Sequence, residues 1–257
     1  MTKTIAIIGA GIAGLAAGCY AQMNGFDSHI FELHDLPGGL CTAWERKGYI
    51  FDGCLHYLFG SAPDQPFYRV WEELGAVQGR QMIHHDEFMR VTDSSGRTLI
   101  GYCDPDRLAA HIKELSPADA DLADDLAEGV RDFFTFDMSA LQQQPRSLMT
   151  GLDGLELGKR MLPFMLPLVR WANVSAAEFA ERFTDPFLRR AMPHLFAWPD
   201  IPMMAGISLL AYMHLHNAGF PAGGSLEFAR AIERRYTELG GRLHYKAQVE
   251  KILVEDD

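Results

Sequence analysis

The sequence predicts an α/β fold: a Rossmann-like dinucleotide-binding domain in two segments, with an α+β domain inserted between them. Three observations predict it. TIAII, Thr4 to Ile8, leads into Gly9-Ala10-Gly11-Ile12-Ala13-Gly14 and then into an Ala-rich stretch with apolar residues at helical spacing. FPAGGSLEFARAIERRYTELGGRLHY, Phe220 to Tyr245, has the order glycine turn, helix, glycine stop, strand. The residues between read as a hairpin followed by helices. The expected divisions are 1–65, 66–218 and 219–257.

The elements follow in order. Thr4–Ile8 is a short β-branched run and reads as a buried strand. Ile12–Asn24 reads as a helix stopped by Gly25, and Ser28–Glu32 as a second strand, closing a β-α-β unit of about 30 residues. Phe67–Leu74 looks like a short helix. Phe88–Thr92 and Arg97–Cys103 alternate around DSSG as a β-hairpin. Asp104-Pro105 supplies an N-cap and a proline at the first helical position. Ser116-Pro117-Ala118-Asp119 predicts a capping box before an acidic helix whose leucines and phenylalanines share one face. Gln142–Trp171 is rich in Pro, Met and Leu with weak periodicity. Asp185-Pro186 caps another helix, and Gly206–His216 fits either helix or strand. Ser225–Leu239 reads as a helix ended by Gly240-Gly241, followed by strands at Arg242–Tyr245 and Val249–Val254. EDD follows that last strand directly, and the first β-α-β unit has only two strands. Both lead to the expectation of a fragment, or of a fold completed by another chain.

Composition narrows the function. The 257 residues are 48% hydrophobic and 22% charged, ordinary for a globular domain. A net charge of -11 argues against wrapping nucleic acid, since nothing cancels the phosphate repulsion. Lys159, Arg160 and Arg170 flank an apolar run and are the expected local basic patch. None of the four cysteines forms a C-x-x-C pair, and the N-terminus has no secretory pattern. The expectation is a reduced, cytoplasmic protein with free thiols, Cys19 being a small buried one on a helix. No stretch reaches the roughly 18 apolar residues of a spanning helix. MLPFMLPLV, Met161 to Val169, is broken by Pro163 and Pro167 and is suited either to lie on a membrane surface or to line an apolar tunnel.

Gly9 to Gly14 is G-x-G-x-x-G in its proper setting, after a strand and opening a helix, with an acid at the end of the next strand. Gly9 allows the tight turn, Gly11 leaves room for a pyrophosphate, and Gly14 lets helix and strand pack closely. Gly18 extends that close-packing face. The pyrophosphate meets the free N–H groups of the helix N-terminus. Glu32, 18 residues after Gly14, is placed to accept hydrogen bonds from the adenosine ribose and to repel a 2′-phosphate.

GGLCTAWERKGYIFDGCLHYLFG, Gly38 to Gly60, admits several readings. Cys41, Cys54 and His56, with His34 as a fourth, could ligate a metal, but structural zinc favours closely paired ligands and these cysteines are 13 apart, so no metal is expected. Cys54 and His56 are two apart and would share a strand face, as a nucleophile and base would, yet nothing identifies an acyl substrate. In the plain reading the thiols are small packing residues and Asp52 caps a turn before Gly53.

Glu32, then Gly38-Gly39, then GYIFDGCLH resembles the N-terminal region of FAD-dependent oxidoreductases of the phytoene desaturase, carotenoid isomerase and retinol saturase superfamily. FPAGGSLEFARAIERRYTELGGRLHYKAQVEKI is similar to a second block of that family. The resemblance implies a Rossmann-like FAD-binding (GR2-type) domain with an inserted substrate domain over 66–218. It implies FAD as cofactor, with contacts from Gly9, Ala10, Gly11, Ile12, Ala13, Gly14, Glu32, Gly38 and Gly39, and a backbone contact to adenine near Val249. Leu40, in the same loop, is an implied cofactor contact as well, though it stands where many relatives carry Arg or Lys. His56 is the implied catalytic residue, near the flavin ring. The implied reaction is desaturation, saturation or isomerisation of C=C bonds in a hydrophobic isoprenoid or carotenoid-like substrate, by hydride transfer at flavin N5. The alternatives are an amine-oxidase-like flavoenzyme and a non-catalytic prenyl-binding protein of the GDP-dissociation-inhibitor type. The family's C-terminal third, with a Gly-Asp motif contacting the flavin, has no counterpart in the sequence.

Overall fold

The computed structural model describes residues 3–136, 146–196 and 198–254. In chain order the first elements are β1 (Thr4–Ile8), α1 (Ile12–Met23), β2 (Asp27–Phe31), β3 (Ala43–Arg46), β4 (Tyr49–Asp52), β5 (Leu58–Phe59), α2 (Tyr68–Glu73) and β6 (Met82–Ile83). Next come the hairpin β7 (Glu87–Thr92) and β8 (Thr98–Tyr102), then the helices α3 (Pro105–Leu115), α4 (Ala120–Asp132), α5 (Gly151–Met161), α6 (Met165–Trp171), α7 (Ala176–Ala180), α8 (Pro186–Leu195) and α9 (Met203–His214). β9 (Ala218–Pro221), α10 (Gly224–Glu238) and β10 (Arg242–His244) complete the order.

The chain divides into two units, residues 1–83 with 220–257, and residues 84–219. Residues 66–83, expected in the middle segment, go with the first unit. Their apolar side chains and one arginine hold them there. The Trp71 ring packs edge-on to Phe228 at 5.4 Å, and Leu74, Ala76 and Val77 are buried in the same core as Ile232. The Arg80 guanidinium donates to the carbonyls of Ala222 at 2.7 Å and Glu227 at 3.0 Å.

In the first unit β1, β2 and β10 make a parallel sheet with β2 in the middle. The two-strand β-α-β unit thus gains its third strand from the far end of the sequence. The ring of Tyr236 on α10 fills the space a side chain at Gly18 on α1 would need, since a Cβ there would lie 2.7 Å from it. That ring is fully buried, and its hydroxyl donates to the Ser28 carbonyl at 2.7 Å and accepts from the Arg242 N–H at 3.1 Å. One tyrosine therefore ties α1, α10, β2 and β10 together.

Several expectations are corrected. No strand forms over Val249–Val254; Ile252, Leu253 and Val254 are exposed, and a strand needs a partner to pair with. The closing EDD lies outside the described residues, as do residues 142–145 of the Pro-rich stretch. Of Gly206–His216, the residues up to His214 fall in the helix α9, and Leu215 and His216 form the turn after it. Lys47 and Gly48, both at positive φ (52° and 79°), form the two-residue turn of the β3–β4 hairpin, which the sequence reading did not foresee.

The second unit has its own core, with Trp171, Phe179, Phe183, Leu188, Leu195, Ile207 and Leu210 buried together. The α9 part of the apolar middle is therefore core, whereas Leu152, Leu155, Leu162, Leu166 and Val169 around α5 and α6 are exposed. The basic patch does not stand free: Arg160 pairs with Glu156 at 3.4 Å, and Arg170 pairs with Asp125 and Glu128. The capping box at Ser116–Asp119 does not form either. Asp119 is buried and its carboxylate instead accepts the Thr184 N–H at 2.7 Å, the Thr184 hydroxyl at 2.8 Å and the Asp185 N–H at 3.1 Å. Among the described residues no helix is long and apolar enough to cross a membrane.

Candidate dinucleotide-binding site

The site is built where β1 turns into α1. Gly9 has φ +93°, open to glycine at little cost, and its N–H donates to the Phe31 carbonyl at 2.8 Å. A Cβ on Gly14 would lie 2.0 Å from the Gly9 carbonyl oxygen, so the helix seats on the loop only because that position is bare. Gly11 is the N-cap of α1 and offers no side chain to cap it. The first-turn N–H groups have no intrahelical acceptor and carry the positive end of the helix dipole.

The second glycine loop lies alongside the first. Gly38 N–H donates to the Ala10 carbonyl at 2.7 Å, and Gly11 and Gly38 form an isolated parallel bridge. Both Gly38 (φ +105°) and Gly39 (φ +60°) are in the left-handed region, and a Cβ on Gly39 would lie 3.3 Å from the Gly11 Cα. Residues far apart in the chain thus make one patch of bare backbone.

Glu32 is 6% exposed at the end of β2. Its carboxylate accepts the Ala10 N–H at 2.6 Å and the His34 N–H at 2.9 Å. It therefore holds the glycine loop in place, and each oxygen keeps a further lone pair for another donor. Lys246 and Ala247 donate to the carbonyls of His34 and Glu32 at 3.0 and 2.9 Å, which brings the chain before Val249 alongside the end of β2. Val249 is partly exposed, and Leu40 is 89% exposed.

The FDGC turn is fastened to the start of α10. Asp52 accepts the Ser225 N–H at 2.6 Å, the Ser225 hydroxyl, and the Cys54 N–H at 3.2 Å. The Ser225 hydroxyl oxygen in turn accepts the Leu55 N–H at 2.8 Å. A Cβ on Gly224 would fall 2.1 Å from the carboxylate, which is why the turn is Gly-Gly-Ser. Burial pushes the Asp52 carboxyl up, but the Ser225 and Cys54 hydrogen bonds, with the His56 charge nearby, outweigh it and hold it below the usual carboxylate range. His56 itself is exposed. The sequence reading gave Asp52 a turn-capping role but missed its partner; the acid in FDG and the serine after the second Gly pair were the available signals. Cys41 is buried and its thiol donates to the Ser225 carbonyl at 3.3 Å.

A bare helix N-terminus, two abutting glycine loops and a carboxylate at the next strand end fit a dinucleotide diphosphate and its ribose. Comparison with known proteins agrees with this. A family described as an NAD(P)-binding Rossmann-like domain matches residues 7–74. The chain is 28% identical to a lycopene-forming phytoene desaturase of Pseudescherichia vulneris, over 100% of this chain and 51% of that protein. It is 23% identical to an all-trans-retinol 13,14-reductase of Danio rerio, over 97% and 42%. It is also 23% identical to a chloroplastic prolycopene isomerase of an Oncidium hybrid cultivar, over 97% and 43%. Among solved structures, an oxidoreductase from Methanosarcina mazei aligns at TM-score 0.54 and 18% identity, covering 99% of this chain and 54% of the other. A Rab GDI from Plasmodium falciparum aligns at 0.52 and 11% identity, covering 100% and 61%. The chain spans about half the length of the curated relatives it matches. The similarity to phytoene desaturase and prolycopene isomerase therefore runs along nearly the whole chain, and the fold is a Rossmann-like α/β fold shared with the oxidoreductase and the Rab GDI named above.

Proposed function

We propose that the chain binds FAD across its two glycine loops and serves an oxidoreductase acting on C=C bonds of a hydrophobic, isoprenoid-like substrate. One observation carries the cofactor reading. Gly11 has φ -65°, which any residue adopts, and the nearest atom to a Cβ there is the Gly38 carbonyl oxygen at 3.9 Å. The fold does not need glycine at that position, so the bare backbone serves something outside the chain. The α1 N–H groups bind the diphosphate, Glu32 holds the ribose and disfavours a 2′-phosphate, Gly38 and Gly39 let backbone approach, and Val249 reaches adenine. His56 stands toward the ring. Bound FAD would supply hydride exchange at N5. The substrate class rests on the relatives named above together with the exposed apolar side chains around α5 and α6. The same side chains suit a peripheral membrane surface; co-sedimentation with phosphatidylcholine vesicles detects that, and its absence leaves the substrate reading alone. The amine-oxidase-like and prenyl-binding readings have likeness of fold only, and the paired glycine loops with Glu32 favour the dinucleotide.

The test is an FAD titration of the purified 257-residue chain, followed by flavin fluorescence and absorbance. Wild type gives saturable binding. Gly11→Ala keeps the circular dichroism spectrum and melting temperature while affinity falls at least about tenfold, since a methyl group displaces the diphosphate. His56→Ala leaves affinity in place and shifts the bound-flavin spectrum. Absence of binding by wild type, or equal affinity in Gly11→Ala, rejects the reading.

A further inference from the structure

Cys41 and Cys54 lie outside the proposed dinucleotide contacts, and the root of the β3–β4 hairpin brings the segments that carry them together. Its register pairs Trp44 with Phe51 and Ala43 with Asp52. The Gly53 N–H donates to the Thr42 carbonyl at 3.0 Å, so the pairing continues one step past the strands. Carried one step further, the same register would bring Cys41 against Cys54, where the Cys41 and Thr42 N–H groups turn back to the Gly38 and Leu40 carbonyls at 3.0 and 2.9 Å. Opposed residues of an antiparallel pair have Cα atoms about 4.5–5.5 Å apart, inside the roughly 4.4–6.8 Å that a disulfide spans. Both thiols are free, and Cys54 lies close enough to the Cys41 thiol to act on it electrostatically. Cys19 and Cys103 are placed differently, with their thiols directed at the carbonyls of Ile232 and His85.

We propose that Cys41 and Cys54 are a redox-active dithiol, oxidised reversibly by a hydroperoxide to an intramolecular disulfide at the root of the hairpin. Cys41 is 4% exposed and Cys54 is half-buried, so the peroxide meets Cys54 first. The Cys54 thiolate attacks the O–O bond. An S–O bond forms and the O–O bond breaks; with hydrogen peroxide Cys54 becomes a sulfenic acid, and the departing hydroxide takes up the proton the Cys54 thiol gave up and leaves as water. The Cys41 sulfur then attacks the sulfenic sulfur: the S–S bond forms, the S–O bond breaks, and hydroxide leaves with the thiol proton as a second water. Two thiols lose two electrons and two protons, and the peroxide takes up both. Burial, with Cys54 and Asp52 nearby, pushes the Cys41 thiol up to about 12, so the closing step quickens as pH rises. Closure removes the Cys41 thiol from the Ser225 carbonyl and pins the loop that begins at Gly38 to the turn held by Asp52.

The reduced full chain is exposed to hydrogen peroxide, alkylated and mapped by mass spectrometry. The expected product is one Cys41–Cys54 cross-linked peptide per chain, two hydrogens lighter, reopened by dithiothreitol, with Cys19 and Cys103 still alkylated. It forms several-fold faster at pH 8.5 than at pH 7. In Cys54→Ser, Cys41 stays alkylatable under the same exposure; should that variant not fold, the wild-type map decides alone. Cys41 and Cys54 both alkylated after exposure, Cys54 recovered only as sulfenic or sulfinic acid, or links found only between chains would each overturn the proposal. None of these outcomes depends on whether FAD binds.

Discussion

At Gly14 and Gly25 the same substitution has different physics. An alanine Cβ at Gly14 would sit 2.0 Å from the Gly9 carbonyl oxygen, inside any contact a real atom tolerates, so the loop and helix must part. Gly25 has φ +79° and open space around its Cβ, so alanine there costs only the backbone preference, about 1 kcal/mol. Gly14→Ala is therefore expected to destabilise the chain by more than Gly25→Ala and to lower FAD affinity by at least about tenfold, while Gly25→Ala leaves affinity unchanged. Urea unfolding and the FAD titration measure both; equal losses in the two variants would show that the loop relaxes freely. The structural roles of Gly9 and Gly14 were legible, because a tight turn into a closely packed helix is what glycine at those places of G-x-G-x-x-G serves. The role of Ser225 was not, because a serine after two glycines reads as a helix start until its carboxylate partner, Asp52, is located in space.

Elements with a local cause were the legible ones. Asp104 and Asp185 cap α3 and α8 as their Asp-Pro pairs indicate, each accepting two N–H groups of the first turn. The DSSG hairpin forms because Asp93 accepts from Ser95 and Arg97 across the turn. Elements with a distant cause were misread. Asp119 looked like one half of a capping box, but it is drawn to Thr184 and Asp185 at the start of α8, joining two helix starts by a buried carboxylate. Burial pushes that carboxyl up, and the Thr184 and Asp185 N–H groups with the Ser116 and Thr184 hydroxyls outweigh it, holding it below the usual range. A depressed folded value means the unfolded chain binds the proton more readily. The stabilisation is then fully present above the unfolded value of about 3.9 and is lost as pH falls through the folded one. Asp119→Asn presents an N–H₂ to donors and is expected to cost about 1–3 kcal/mol at pH 7. It also removes part of the stability loss below pH 4. Urea midpoints of both proteins from pH 7 to pH 3 test this; parallel curves would remove Asp119 from the acid response.

At the scale of the whole molecule, each unit carries a core of its own. The cluster built on Trp171, Phe179 and Leu210 draws only on residues between 84 and 219. The cluster built on Leu15, Ile30, Phe228 and Tyr236 draws only on the two flanking segments. The sequence indicated that the outer segments belong together, since the two glycine motifs imply one nucleotide domain, but it placed the first crossing too early, because the short helix α2 offers no local sign of the core it joins. The crossing itself is a strand pair: β6 and β9 are antiparallel, with Ile83 against Phe220. Replacing residues 84–219 by an Asn-Gly turn would convert that pair into an ordinary two-residue hairpin. A unit with its own core and a short closure is expected to fold alone. The joined 1–83/220–257 chain should therefore melt cooperatively and bind FAD within about tenfold of the whole chain, because the glycine loops, Glu32 and the Asp52–Ser225 clamp are all retained. Residues 84–219 expressed separately should show a helical circular dichroism spectrum and their own transition. A joined chain that is unfolded by near-ultraviolet circular dichroism and amide exchange would mean that its core depends on the excised residues, and that the two cores are independent only in composition.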